Sequence, residues 1–352
     1  MSRFFSSKFS SLDPYVPGEQ PIDKKYVKLN TNESPFPPSP IAVRYAENEA
    51  RLLNLYSDPT ANKLTSVAAE KFNVNTNEII FSNGSDEILN FAFSAFCDSD
   101  HPAVFPNITY GFYPVFARYN NIPYEEIPLK EDFSINTDDY CNINKTIFIA
   151  NPNAPTGISV SLKEIEKIVS SNPHNVVVID EAYVDFGGES SVQLIKDYEN
   201  LLVVQTFSKS RSLAGGRLGF GIASELIIND LNTVKYSTNP YNVNRMTMAA
   251  GIGALEDEDY TQNNIKIIIS NRNSTIKSLN NLGFQCTDSK TNFIFAKHKT
   301  IGGKELYLKL KENGVLVRHF DTPLLTDYVR ITVGSENQMN ILIEKLKNIL
   351  EG

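Results

Sequence analysis

The sequence predicts an α/β fold: a large domain with a mostly parallel sheet sandwiched by helices, a smaller α+β C-terminal domain, and an extended N-terminal arm. Three observations lead there. Short β-branched runs alternate with helical stretches through the middle of the chain, a pattern that builds parallel sheets covered on both faces. After residue 250 the character shifts to long helical segments interleaved with short strands, and prolines crowd the first forty residues. The resulting boundaries are 1–40 for the arm, 41–250 for the large domain and 251–352 for the small one.

In the arm, Pro14, Pro17, Pro21, Pro35, Pro37, Pro38 and Pro40 each fix φ and remove a backbone donor, so an extended segment is expected rather than a helix. From residue 41 the pattern becomes helical, and 63–72 reads as an amphipathic helix with Leu64, Val67, Ala68 and Phe72 on one side. A strand follows at 78–81. Then come a strand at 146–150, a helix at 162–170, a strand at 176–179, a helical stretch at 192–197 and a strand at 201–206. Right-handed crossovers between parallel strands place ligands outside the carboxyl ends of those strands. The last hundred residues read as helices at 263–282 and 303–313 with strands at 293–296, 315–318 and 328–333.

Composition narrows the function. With 33 basic and 41 acidic residues, the net charge of −8 disfavours nucleic acid and anionic membrane. Cys97, Cys141 and Cys286 show no paired spacing for zinc or a redox dithiol, and His101, His174, His298 and His319 lie far apart, so no metal is expected. No apolar run reaches signal-peptide or membrane-span length, and a cytoplasmic protein is expected.

Polar residues gather where the strands end. The run IFIAN passes into Asn151-Pro152-Asn153-Ala154-Pro155-Thr156-Gly157, a turn held by prolines and glycine. The run VVID ends in Asp180, followed by Glu181, Ala182 and Tyr183. A carboxylate there is buried and needs a cation or donors to stay charged, unless it only caps a helix. The run LLVVQTF delivers Ser208 and Lys209, and a lysine in partly apolar surroundings can serve as a nucleophile toward carbonyls; Arg217 follows Ala214-Gly215-Gly216. One cofactor uses all of these groups, pyridoxal 5'-phosphate: an aldehyde for Lys209, a ring nitrogen for Asp180, a phenolic oxygen for Tyr183 and a phosphate. For the phosphate, Asn83-Gly84-Ser85-Asp86-Glu87 opens a helical run whose N-terminus favours anions, with Ser208 and Arg217 completing the cradle. Tyr110 or Tyr113 offers a ring to stack on the cofactor.

With Ser208-Lys209, Asp180 to Tyr183 and Gly84-Ser85-Asp86 in this order, the chain resembles fold-type I pyridoxal-phosphate enzymes, and in particular the histidinol-phosphate aminotransferases. The resemblance runs nearly end to end, through Tyr15-Val16-Pro17-Gly18, Lys28 to Pro35, Tyr56-Ser57-Asp58-Pro59, Pro240 to Asn244 and Val329 to Gly334. It implies that Lys209 joins the cofactor, Asp180 meets the pyridine nitrogen, Tyr183 the phenolic oxygen, and Tyr110 stacks on the ring. Gly84, Ser85, Asp86, Ser208 and Arg217 would surround the phosphate, and Tyr56 would reach the phosphate bound in the other subunit of a homodimer. Arg330, helped by Arg318, Tyr15 and Asn32, would grip the substrate's anion. Where the family has a second asparagine, this chain has Ala154, which cannot donate; Asn151 or Asn153 takes over, or Tyr183 carries that contact alone.

The implied reaction moves an amino group from histidinol phosphate through the cofactor to 2-oxoglutarate, giving glutamate. The alternatives on this fold are an aromatic amino-acid aminotransferase, a threonine-phosphate decarboxylase and, from another class, a cofactor-sensing module of a regulator; the acidic charge disfavours the last.

Overall fold

A computed structural model describes residues 2–9, 12, 13 and 15–351; Pro14 of the arm lies outside them. In chain order the regular elements are β1 (Val27–Lys28), α1 (Pro40–Ala50), α2 (Asn62–Phe72), β2 (Ile79–Asn83), α3 (Ser85–Phe96), β3 (Ala103–Pro106), α4 (Tyr113–Tyr119) and β4 (Tyr124–Ile127). They continue with β5 (Thr146–Ala150), α5 (Leu162–Ser170), β6 (Val177–Asp180), β7 (Leu201–Thr206), β8 (Leu218–Ala223), α6 (Glu225–Thr238), α7 (Arg245–Glu256) and α8 (Glu258–Asn281). The last are β9 (Phe284–Cys286), β10 (Phe293–His298), α9 (Gly303–Glu312), β11 (Val315–Leu316), β12 (Arg318–His319), β13 (Tyr328–Thr332) and α10 (Glu336–Glu351).

Strands β2 to β8 form one seven-stranded sheet in the order β2-β8-β7-β6-β5-β3-β4, parallel except for β8, which runs against both its neighbours. Every residue of β5, β6 and β7 is buried, because helices cover both faces. Alternation along β5 divides the core: Ile147 and Ile149 pack with Leu64, Ile165 and Ile168 from α2 and α5. Phe148 turns the other way onto Ile88, Phe93 and Leu231 of α3 and α6, with the Phe93 and Phe148 rings stacked at 4.0 Å. Each such side chain contributes about 1.5–3 kcal/mol by leaving water. Helix α5 shows why these residues make this element. Ser161 and Glu164 form a capping box at its start, and Ile165, Ile168 and Val169 present one buried stripe.

A second, antiparallel sheet runs β12-β13-β10-β9. Its core gathers Ile294, Val329, Ile331, Leu306 and Leu342, and takes in Leu29 from the arm. The arm is fastened there because β1 pairs in parallel with β11, Val27 opposite Val315.

Two expectations change in detail. The helical stretch expected at 192–197 is a 3₁₀ segment, Val192–Lys196, which follows Ser190 and Ser191, both held by the buried carboxylate of Glu181. The strand expected at 315–318 is two pieces, because the chain changes partner after Leu316, from β1 to β13. Among the described residues no helix is long and apolar enough to cross a membrane.

Candidate active site

The carboxyl ends of β3, β5, β6 and β7 face one cavity of about 340 Å³, lined by Ser85, Asp86, Tyr110, Asp180, Tyr183, Ser208, Lys209 and Arg217. It opens beside a second of about 700 Å³, which shares Tyr110, Tyr183 and Lys209 and adds Tyr15, Asn32, Arg318 and Arg330. The Lys209 Nζ stands 5.7 Å from the centre of the Tyr183 ring, at the junction of the two.

Asp180, the last residue of β6, is 5% exposed. Its carboxylate accepts hydrogen bonds from the Ala182 amide at 3.2 Å and the Tyr113 hydroxyl at 3.1 Å. Burial outweighs those donors and, aided by the charges of Asp86 and Glu181, pushes its pKa up to about 7. Asp180 lines the smaller cavity with no ion-pair partner among the described residues. Glu181 is buried as well, yet its oxygens are spent on Ser190, Ser191 and Gln205 at 2.6–2.9 Å and it does not line the cavity. Tyr113 lies beneath Asp180, fully buried, which leaves Tyr110 as the ring on the cavity side.

The anion cradle is built on the turn from β2 to α3. Gly84 has φ +82°, and a Cβ there would lie 2.5 Å from the Arg217 guanidinium. At Gly219 a Cβ would fall 2.2 Å from the Ser85 amide nitrogen, so the antiparallel strand β8 can approach the helix start only through glycine. Arg217 reaches Asp86 at 2.9 Å, and Asp86 also accepts from the Tyr110 hydroxyl at 2.7 Å. Ser208 is buried and accepts from the Thr206 hydroxyl at 3.0 Å.

Tyr183 accepts from the Asn32 side chain at 2.9 Å, so its own proton remains free to donate into the cavity. The asparagines after β5 are spent. The Asn153 amide donates to the Ile108 carbonyl and the Thr156 hydroxyl and accepts from Thr109, and it lines neither cavity. Asn151 exchanges both of its bonds with Val160. Asn153, expected from the sequence as a cofactor ligand, turns its side chain inward and pins the segment at Ile108. Within this turn, Ala154 lines both cavities.

In the larger cavity, Arg318 donates to the carbonyls of Val16 and Pro17 at 3.0 and 3.3 Å, and Arg330 to that of Asn30 at 3.2 Å. Among the described residues the buried Arg330 Nε has no hydrogen-bond partner, and burial, reinforced by Arg318, pulls the pKa of its guanidinium below the usual value. Tyr15 of the arm, which lines the same cavity, stacks on Phe112 at 4.3 Å. Tyr56 lies apart from both cavities, 79% exposed and stacked on Tyr241 at 4.5 Å. Thr31, Glu33 and Phe320 also line the site and were not singled out from the sequence. For Phe320 a signal existed, since it lies two residues past Arg318 on extended chain and so shares its face.

The profile of the class I and II aminotransferases matches residues 24–346. The chain belongs to that family. Its members depend on pyridoxal phosphate, and the residues here fit it: an amine, a buried carboxyl with no ion-pair partner among the described residues, and the first residues of a helix share one cavity. Among relatives, the histidinol-phosphate aminotransferase of Brachyspira hyodysenteriae is 50% identical over 353 residues, covering 100% of both chains. That of Clostridium acetobutylicum is 44% identical over 351 residues, 99% of this chain and 100% of the relative. Solved structures agree on the fold of this aminotransferase. The histidinol-phosphate aminotransferase of Sinorhizobium meliloti in complex with pyridoxal-5'-phosphate has a TM-score of 0.90 at 21% identity, covering 100% of this chain and 98% of the other. An L-threonine-O-3-phosphate decarboxylase from Porphyromonas gingivalis has a TM-score of 0.82 at 23% identity, covering 92% and 99%.

Proposed function

We propose that the enzyme transfers the amino group of histidinol phosphate to 2-oxoglutarate, as a cytoplasmic homodimer with a 1–40 arm, a 41–250 cofactor domain and a 251–352 small domain. The observation that carries the substrate is identity of 50% along the whole length to a histidinol-phosphate aminotransferase. The cavity agrees, with two arginines whose polar partners among the described residues are carbonyls rather than carboxylates.

Bound pyridoxal phosphate supplies an aldehyde for the amino group and a ring that withdraws electrons from the substrate's α-carbon. Lys209 would hold the cofactor through its ε-amine, and its free amine would take the proton from the substrate's α-carbon. Asp180 keeps a proton on the pyridine nitrogen; the apolar burial that raises its pKa also strengthens its pairing with a cation. Tyr183 donates to the phenolic oxygen without help from Asn151, Asn153 or Ala154. Tyr110 stacks on the ring, Gly84, Ser85, Asp86, Ser208 and Arg217 surround the phosphate, and Tyr56 reaches the phosphate of a second copy. Arg330, Arg318, Tyr15 and Asn32 orient the donor's anion through paired N–H groups and hydroxyls.

The test is a spectrum of the holoenzyme mixed with histidinol phosphate and, separately, with phenylalanine. Loss of the bound-cofactor band with histidinol phosphate, restored by 2-oxoglutarate, is expected. Response to phenylalanine alone would move the substrate, and release of carbon dioxide would move the reaction class.

A further inference from the structure

Arg318 and Arg330 stand directly opposite each other on β12 and β13, so two like charges rise from neighbouring positions of one sheet. Nothing anionic separates them at contact distance; among the described residues their polar partners are the carbonyls of Val16, Pro17 and Asn30. What lies against both is a ring. The centre of Phe320 is 5.6 Å from the Arg318 guanidinium carbon and 5.6 Å from that of Arg330. Arg330 is also 5.4 Å from the ring of Phe293, which is fully buried. Phe320 is in turn seated against the apolar cluster of Ile108, Phe295 and Leu325.

An aromatic face attracts a guanidinium through its quadrupole while consuming none of its N–H donors. A carboxylate in the same place would neutralise the pair and compete with an incoming anion; an aliphatic residue would leave Arg318 free to lean toward Glu19 of the arm, whose carboxyl already feels its charge. We propose that Phe320 is a positioning residue: its ring fixes both guanidiniums relative to each other and thereby sets the affinity for a doubly charged phosphate ester on the amino donor. This rests on the reading of the donor as histidinol phosphate.

The experiment compares the wild-type holoenzyme with Phe320→Leu, which keeps apolar bulk and loses the π face, and Phe320→Tyr, which keeps both. The KM and kcat for histidinol phosphate, inhibition by inorganic phosphate and the melting temperature are measured for each. In Phe320→Leu the KM and the phosphate inhibition constant should both rise about tenfold, with kcat within about twofold of wild type, and Phe320→Tyr should restore both. Unchanged constants in Phe320→Leu would overturn the proposal. So would parallel losses of kcat and melting temperature in both variants, which would mark the ring as structural filler. Failure of the wild type to use histidinol phosphate would remove the substrate reading alone, because the change in phosphate inhibition, read with whatever donor the enzyme accepts, still decides the role of Phe320.

Discussion

Replacing Asp180 by asparagine should change how the cofactor-free protein responds to pH. Asparagine keeps the shape and can still meet the Ala182 amide and the Tyr113 hydroxyl, but it carries no charge at any pH. In the wild type the folded pKa of Asp180 is raised from 3.8 to about 7 by burial. Below pH 3.8 the residue is protonated in both folded and unfolded chains, and its contribution to stability is fully present. As pH climbs toward 7 the unfolded chain releases its proton first, so stability falls; above the folded pKa the loss is complete. At about 1.4 kcal/mol per pH unit, a rise of this size corresponds to a loss on the order of 4 kcal/mol. Urea unfolding of cofactor-free wild type and Asp180→Asn at pH 4.5, 6 and 8, at one protein concentration, measures it. The variant should gain on the wild type steadily between the first and last pH. Added pyridoxal phosphate should recover the wild type at pH 8 far more than the variant. A difference that stays flat across that range would refute the claim that an unpaired buried carboxylate sits at the end of β6.

Three further outcomes follow from the site. Lys209→Ala should fold normally by circular dichroism yet lose at least about 10³-fold in turnover, since the same amine anchors the cofactor and moves the proton; substantial residual activity would reassign both roles. Gly84→Ala places a methyl against Arg217 at a positive φ and should cost about 1 kcal/mol or more in stability and weaken cofactor retention in equilibrium dialysis. Tyr183→Phe should shift the pH titration of the bound-cofactor absorption band upward by about a unit or more, because Asn151, Asn153 and Ala154 offer no substitute donor; an unmoved titration would mean that another group supplies that hydrogen bond.

Much of the fold was legible because burial writes itself into sequence. The runs at 146–150 and 201–206 are continuous and apolar since both their faces are covered, and their ends fall at the residues expected. Strand β8 escaped notice because Gly219 and Gly221 dilute its pattern, and the first of these is demanded by Ser85, more than a hundred positions earlier. Asp180 and Lys209, expected at or just past strand ends, do line one cavity. The site was not legible where side-chain direction decides. Asn153 occupies the expected turn but faces inward, and Tyr110 and Tyr113, three residues apart, divide between the cavity and the bed of Asp180. Thr31 and Glu33 come from the arm and Phe320 from just past β12, and only the folded chain brings them to the cavities that Lys209 lines.

The pairing of β1 with β11 also has a consequence in time. The arm is synthesised well before β11, the strand it pairs with; Lys24 and its partner Glu312 are 288 residues apart. The large sheet, complete by Ala223, can close while the arm still has nothing to lie on. The segment that carries Tyr15 and Asn32 to the larger cavity therefore waits for most of the chain before its strand can pair.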